Sequence, residues 1–557
     1  MIFNIITKIT GIEKDTRYPG AAGAVKYAAD VLLYIAVCFY LVVIGVCLPL
    51  YLPGYEKLGT DKGQFWIKWT GISGKLLLVP LALYVLFFII RLLSDNSSKK
   101  SLSALFPGKP QVYSSDIWAA AFCVSVIISR ALSEEKEIAL YGERGWYLGM
   151  FSYAALGIGV IVIPRLGKAK NPFPAVIMAA SFVVSLIGII MDYAGNVFNY
   201  AGWSPDRVST LGNANWFGGY LITVMFTGTA FFFLRDKDKL RKGKFFTAWL
   251  IIYMAVTFYM IIGQGSATAH LAMIAVMLAL MIFAGKNPEG LLRVSVILLV
   301  FSVSMLIHAL YISNGGYSRV NDPLGLLFEK PAFALGFVFT CMILTAIIRL
   351  LIGKGKTTIN INIGTLLTAF TVFAALIYLL LLIANTCSLV AYLGKEGSIF
   401  WFDNSWGSSR GATLKAGWEI FKRMTPFEKL FGKGPDNFYS FLMSERFPET
   451  SSMILEYFGG ARLTNSHCEP LTMLVNTGFA GTVSSYGLMI CIMVRGFKKA
   501  SGSSGKGVVI PLACSLCILA YIINNIFSFQ TAANVSQLAL VLGFGAWAAL
   551  PGKSEDR

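Results

Sequence analysis

Residues 363–385 read IGTLLTAFTVFAALIYLLLLIAN, and no side chain in that run carries a charge. About 20 consecutive apolar residues suffice to cross a bilayer as a helix, so this stretch predicts a spanning segment. Directly after it the chain changes character. From about 387 to 469 it is polar, charged and aromatic, and it closes on Thr464-Asn465-Ser466-His467-Cys468-Glu469-Pro470-Leu471 at the mouth of the next apolar run.

Runs like 363–385 recur at about 31–53, 75–93, 117–132, 147–163, 174–193, 215–234, 245–262, 268–284, 294–312, 332–352, 470–494, 508–527 and 534–550. The composition agrees: 557 residues, 56% of them hydrophobic and 14% charged, with a mean hydropathy of +0.66. The expected fold is all-α, a single polytopic membrane domain over 1–557 with about fourteen transmembrane helices. The 387–469 segment is its one long, partly helical outer loop. No cleavable signal peptide is expected, because the first apolar run is long enough to span.

Lys and Arg distribution sets the orientation. Lys8, Lys14, Arg17 and Lys26, then Lys99, Lys100 and Lys109, then Arg165, Lys168 and Lys170 fall on alternate connections. The series continues with Arg235, Lys237, Lys239, Arg241 and Lys242, with Lys354 and Lys356, and with Arg495, Lys498, Lys499 and Lys506. The short intervening connections are poor in them; 194–214 holds only Arg207. By the positive-inside rule both termini lie in the cytoplasm. The net charge of +18 is then mostly a topology signal, and no nucleic-acid partner is expected, since no soluble basic face exists to bind one.

Ionisable groups inside the spans are scarce, which argues against an ion-coupled transporter. Asp192 and Arg130 fall at outer helix ends, and His270 and His308 lie within helices, where they read as packed, hydrogen-bonded side chains. Of nine cysteines, only Cys387 and Cys468 fall outside the predicted helices. A disulfide between them and two free thiols are both open.

Four polar constellations lie on the outer side. Asp206-Arg207 precedes Gly212-Asn213-Ala-Asn215-Trp216 at the start of a span. An Arg fork matches phosphate oxygens, and the asparagines suit a helix cap or a sugar hydroxyl; an interfacial anchor is the plainer reading. Ser408-Ser409-Arg410 opens a short amphipathic helix with Leu414, Trp418 and Phe421 on one face, resting on the membrane surface with a serine as N-cap. Phe431-Gly-Lys433-Gly-Pro-Asp436-Asn437-Phe438 is a glycine-rich turn, conceivably a phosphate cradle but without P-loop spacing. His467 and Glu469 stand just ahead of Pro470, where a histidine can take a proton from a hydroxyl. Neither a DxD signature nor paired histidines suggest a metal site, and no cofactor is expected.

Together these stretches resemble the O-antigen ligase and polymerase family of bacterial membrane glycosyltransferases, over about 200–495. The likeness rests on Arg207 with Gly212-Asn213-Ala-Asn215, on Arg410, on Gly432-Lys-Gly434-Pro-Asp-Asn-Phe438, and on His467-Cys-Glu469-Pro-Leu471 followed by Thr477-Gly-Phe-Ala-Gly481. Two positions depart from the family pattern. Cys468 replaces an Asn, and Gly265-Ser266-Ala267-Thr268 lacks the usual Arg. The resemblance implies a donor glycan on undecaprenyl pyrophosphate, an acceptor hydroxyl on an envelope glycan or lipid, and residence in the bacterial cytoplasmic membrane among its lipids. It also implies that Arg207, Arg410, Asn213 and Asn215 bind the donor, without metal assistance, and that His467 or Glu469 takes the acceptor proton. Ligase, polymerase and protein O-oligosaccharyltransferase readings differ only in the acceptor. A lipid-linked glycan flippase and a non-catalytic assembly partner are the alternatives.

Overall fold

A chain crossing hydrocarbon must satisfy its own backbone, and a helix does so within one segment. The computed structural model describes residues 2–16, 18, 20–52, 57–94, 112–167, 169–200, 202–235, 243–359, 361–389, 393–394, 398–502 and 506–550. Among these the regular elements are helices, with one isolated bridge between Val208 and Gly212. Arg17, Lys99, Lys100, Lys109, Lys168, Lys237, Lys239, Arg241 and Lys242 of the basic series lie outside the described residues.

Eleven helices are long and apolar enough to cross a membrane, and Met150–Leu166, Val509–Asn525 and Ala532–Ala548 are shorter apolar helices. They account for each of the fourteen expected segments. This is an all-α, multi-pass membrane protein.

The connections gather on two faces. On one, Thr210 donates to the Pro49 carbonyl at 2.7 Å, Lys433 pairs with Glu134 at 2.7 Å, and Arg319 Nε donates to the Pro205 carbonyl at 2.8 Å. The described part of the long 387–469 segment lies on this side, called here the loop face. On the other, Lys170 N–H meets the Thr10 carbonyl, Ile359 N–H the Lys286 carbonyl, and Trp547 Nε1 the Gly167 carbonyl, at 2.8, 2.9 and 3.0 Å. Of the described connections, 133–149, 195–213, 314–330 and 526–531 fall on the loop face, and 167–172, 285–287 and 354–359 on the other.

Some boundaries differ from the sequence expectation. The second span does not begin near 75 but extends Leu58–Ser94. Its polar start is tolerated because Lys62, fully buried, donates to the carbonyls of Leu48, Pro49 and Tyr51 at 2.8, 3.1 and 2.7 Å, so the ammonium caps the C-terminal carbonyls of the first span. The helix expected over 470–494 is two helices, Glu469–Asn476 and Gly478–Gly502. The break is Gly478 at φ +67, where a Cβ would run into the backbone of Leu430 and Gly432, so only glycine fits the close approach.

Position in the bundle is graded. Ala214–Phe233 and the final hairpin, Val509–Asn525 with Ala532–Ala548, are almost wholly buried and form the centre. Ile363–Thr386 buries almost nothing and forms the rim. Cys387 and Cys468 are free thiols.

Candidate functional site

The central hairpin turns over at Ile526-Phe527-Ser528-Phe529-Gln530-Thr531 on the loop face, and three sequence-predicted residues converge on that turn. Arg410 donates through Nε to the Phe527 carbonyl at 3.1 Å and through Nη1 to the Gly407 carbonyl at 2.9 Å. The His467 ring meets the Phe529 ring edge to face, centroids 5.1 Å apart. Glu469 Oε2 accepts the Gln530 N–H at 3.0 Å.

Local chemistry explains the convergence. Gly407, Ser408 and Ser409 all have positive φ, +61, +59 and +68, so the helix proper begins at Arg410. Neither serine takes the N-cap geometry expected from sequence; they form a left-handed turn that is costly for non-glycine residues and that delivers Arg410 to the hairpin. One turn on, Thr413 donates its hydroxyl to the Ser466 carbonyl at 2.9 Å. A Cβ on Gly417 would crowd Ser466 and Leu471, so helix and His467 strap lie in close contact. His467 itself sits at φ +53, with its N–H donating to Asn465 Oδ1 at 3.0 Å. The buried stripe of this helix is Ala412, Ala416 and Ile420. Of the apolar face read from sequence, Trp418 is exposed and Leu414 part-exposed, while Phe421 is part-buried and packs against the cluster beneath the helix.

The electrostatics separate the two candidate bases. Burial and then the Arg410 charge push the His467 imidazole down to about 4, so it is neutral at physiological pH. Glu469 is buried and burial pushes it up to about 8, partly offset by the Gln530 N–H, with Asp436 adding to the rise. It is therefore mostly protonated at neutral pH. Glu469 is fixed to the Gln530 backbone, and Gln530 Oε1 accepts the Tyr153 hydroxyl at 2.7 Å. Glu469 thus pins the hairpin turn and is poorly placed to act as a base. Among the described residues no carboxylate lies within ion-pair distance of Arg410, although Asp322 acts on it at longer range.

Arg207 and Asn213 belong to a neighbouring hollow of about 320 Å3, with Gly212, Gly265, Ser318, Arg319 and Asn321 in its wall. Asn213 caps its helix, its Oδ1 accepting the N–H groups of Asn215 and Trp216. Asn215 Oδ1 accepts the Ser266 hydroxyl at 2.8 Å. Arg319, which sequence reasoning passed over, reaches the Gly265 turn: a Cβ on Gly265 would strike the Arg319 backbone. Its guanidinium pairs with Asp192 at 2.6 Å. A ladder of rings joins this hollow to His467: Trp216 to Trp146 at 5.7 Å, Trp146 to Phe529 at 5.2 Å, then Phe529 to His467.

The glycine-rich turn is structural. Its Lys433 and Gly434 N–H groups go to the Val475 and Asn476 carbonyls at 3.0 and 2.9 Å, and the Lys433 ammonium to Glu134 and Glu428, leaving no cradle for phosphate. Asp436 Oδ2 accepts the N–H groups of Glu143 and Leu148 at 2.7 and 3.1 Å. His270 is packed and hydrogen-bonded, as expected, its Nε2 meeting the Ile261 and Ile262 carbonyls at 3.0 Å. His308 is packed, but neither ring nitrogen has a hydrogen-bond partner among the described residues, and the two rings face Asp322 at 3.6 Å and Glu329 at 3.5 Å. Among the described residues no group of three His, Cys, Asp or Glu side chains is placed to hold a metal.

No family model matches the chain, and no curated protein matches it.

Proposed function

We propose that the protein is a membrane glycosyltransferase of the O-antigen ligase and polymerase type, moving a glycan from undecaprenyl pyrophosphate to a hydroxyl on an envelope or lipid-linked acceptor. The loop face is then the outer face of the bacterial cytoplasmic membrane, with both termini inside. The observation that carries this reading is that Arg410 and His467 dock on the same 526–531 turn. Among the described residues the cation has no carboxylate within ion-pair distance, and the imidazole within reach of its charge is neutral.

In the reaction the acceptor oxygen attacks the anomeric carbon, and the bond from that carbon to the pyrophosphate oxygen breaks. The acceptor proton passes to His467, and the carrier pyrophosphate leaves with the electron pair. Arg410, with Arg207 in the adjoining hollow, stabilises that developing negative charge, and fixed cations in a partly desolvated site are effective there. Donor binding also tunes the base. The pyrophosphate offsets the Arg410 charge, one of the two causes that hold the imidazole down, so proton affinity rises once substrate is in place. Glu469 keeps its proton and holds the turn to which both groups dock.

The testing experiment is the carrier-lipid profile of a strain lacking this chain. Loss of a polymerase leaves single repeats on the carrier, and loss of a ligase leaves long carrier-linked chains. Repeats trapped on the cytoplasmic side would refute the transferase reading and favour a flippase.

A further inference from the structure

The geometry points to a sugar-binding subsite formed by Trp146 and Trp216, which holds a pyranose ring of the carrier-linked glycan between the Arg207 hollow and His467. The subsite rests on the transferase reading of the same site and names residues that reading does not use. Trp216 opens the span that Asn213 caps, beside the hollow, and Trp146 bridges it to Phe529 and His467. The two indoles thus occupy the interval between Arg207, one of the two cations that would hold the leaving pyrophosphate, and His467, the group that would take the acceptor proton. A donor whose pyrophosphate engages Arg207 as well as Arg410 lays its sugar against that interval.

Both indoles are part-exposed, and among the described residues neither indole N–H bonds to a protein acceptor. Each therefore offers an apolar ring and a hydrogen-bond donor. That combination suits a pyranose, with its C–H faces and peripheral hydroxyls. Asn215 adds an amide: its Oδ1 is taken by Ser266, while its Nδ2 has no protein partner among the described residues.

Trp146 is also held in advance. The 142–148 loop turns through Gly142 and Gly145 at φ +95 and +99. Asp436 clamps it through the Glu143 and Leu148 N–H groups, and the Trp146 N–H closes on the Glu143 carbonyl at 2.9 Å. A ring fixed this firmly binds without paying to be ordered. The clamp gives the glycine-rich segment a purpose: Asp436 sets the Trp146 loop rather than binding phosphate.

The test is equilibrium binding by the purified full-length protein in nanodiscs, with two probes: lipid-linked glycan extracted from the producing cells, and bare undecaprenyl pyrophosphate. Trp146→Ala and Trp216→Ala should each weaken the glycan-bearing lipid about ten-fold, the loss of one ring contact, and leave the bare carrier within about two-fold. Trp146→Phe, which keeps a ring and guards against misfolding, should recover part of the loss. Equal weakening of both probes marks an anchoring or structural role and overturns the subsite, as does no change with either. Binding needs no turnover. Wild-type protein that prefers the glycan-bearing lipid yet never transfers it would sink the transferase reading and leave the subsite standing.

Discussion

The loop face carries all three histidines of the chain, wired in two opposite ways. In the 314–330 region Arg319, Asp322 and Glu329 each stand opposite a titratable partner. His270 stands 3.6 Å from Asp322, His308 3.5 Å from Glu329, and Arg319 pairs with Asp192 at 2.6 Å. At the 526–531 turn the Arg410 hydrogen bonds among the described residues go to backbone carbonyls, with Asp322 acting on it from beyond ion-pair distance; His467 packs on a phenyl ring within reach of the Arg410 charge, and Glu469 faces the Gln530 backbone. A buried or half-buried charge normally finds a partner. The first cluster holds a connection onto the helix ends; on the transferase reading proposed above, the second receives the anion of the substrate.

The contrast breaks first at His467. His467→Ala should lower transfer by about 10²–10⁴-fold, the usual worth of a general base, with expression and membrane insertion unchanged; initial rates with purified lipid-linked donor read it. A loss of only a few-fold corresponds to about 1 kcal/mol of barrier and would remove the imidazole from the chemistry. Next comes Arg410→Lys, which keeps the charge but loses the planar fork. Transfer should fall about ten- to hundred-fold, with the deficit growing as salt is raised.

The 314–330 cluster should respond in stability instead. Glu329 accepts the Ser318 hydroxyl and faces His308. Glu329→Gln should destabilise the protein by about 1–3 kcal/mol, seen as a lower melting temperature in detergent, while the folded fraction transfers within about three-fold of wild type. A large catalytic loss with unchanged melting would erase the distinction between the two regions.

Glu469 should give the smallest effect on rate and a distinctive effect on pH. Its acid is raised from 4.5 to about 8 on folding, so the native state binds more protons than the unfolded state between those values. Its contribution to stability is full below about 4.5 and declines as pH rises toward about 8. Glu469→Gln should flatten that decline and keep transfer within about three-fold. Abolished transfer in this variant would restore Glu469 as the base.

How much of this was legible in sequence follows from what hydropathy can encode. Uninterrupted runs such as 363–385 give the spans, and alternating basic connections give the two faces. The Leu58–Ser94 start was hidden because Lys62 reads as a stop until three carbonyls are found around it. Arg410 and His467 stood out as polar groups beside apolar runs. The 526–531 turn did not, because Phe527 acts through its backbone carbonyl and Phe529 looks like ordinary helix end. The inward turn of Glu469 depends on a partner sixty-one residues later in the chain, which no local pattern records. Trp146 was unreadable for the same reason: its neighbours come from two distant spans.

The central claim is most directly tested in proteoliposomes holding the purified full-length protein, a labelled undecaprenyl-pyrophosphate glycan and an acceptor glycan on the loop-face side. Label should move to the acceptor, and bare undecaprenyl pyrophosphate should accumulate in equal amount. Label that crosses the bilayer still joined to its carrier, with no bare carrier formed, would contradict that claim.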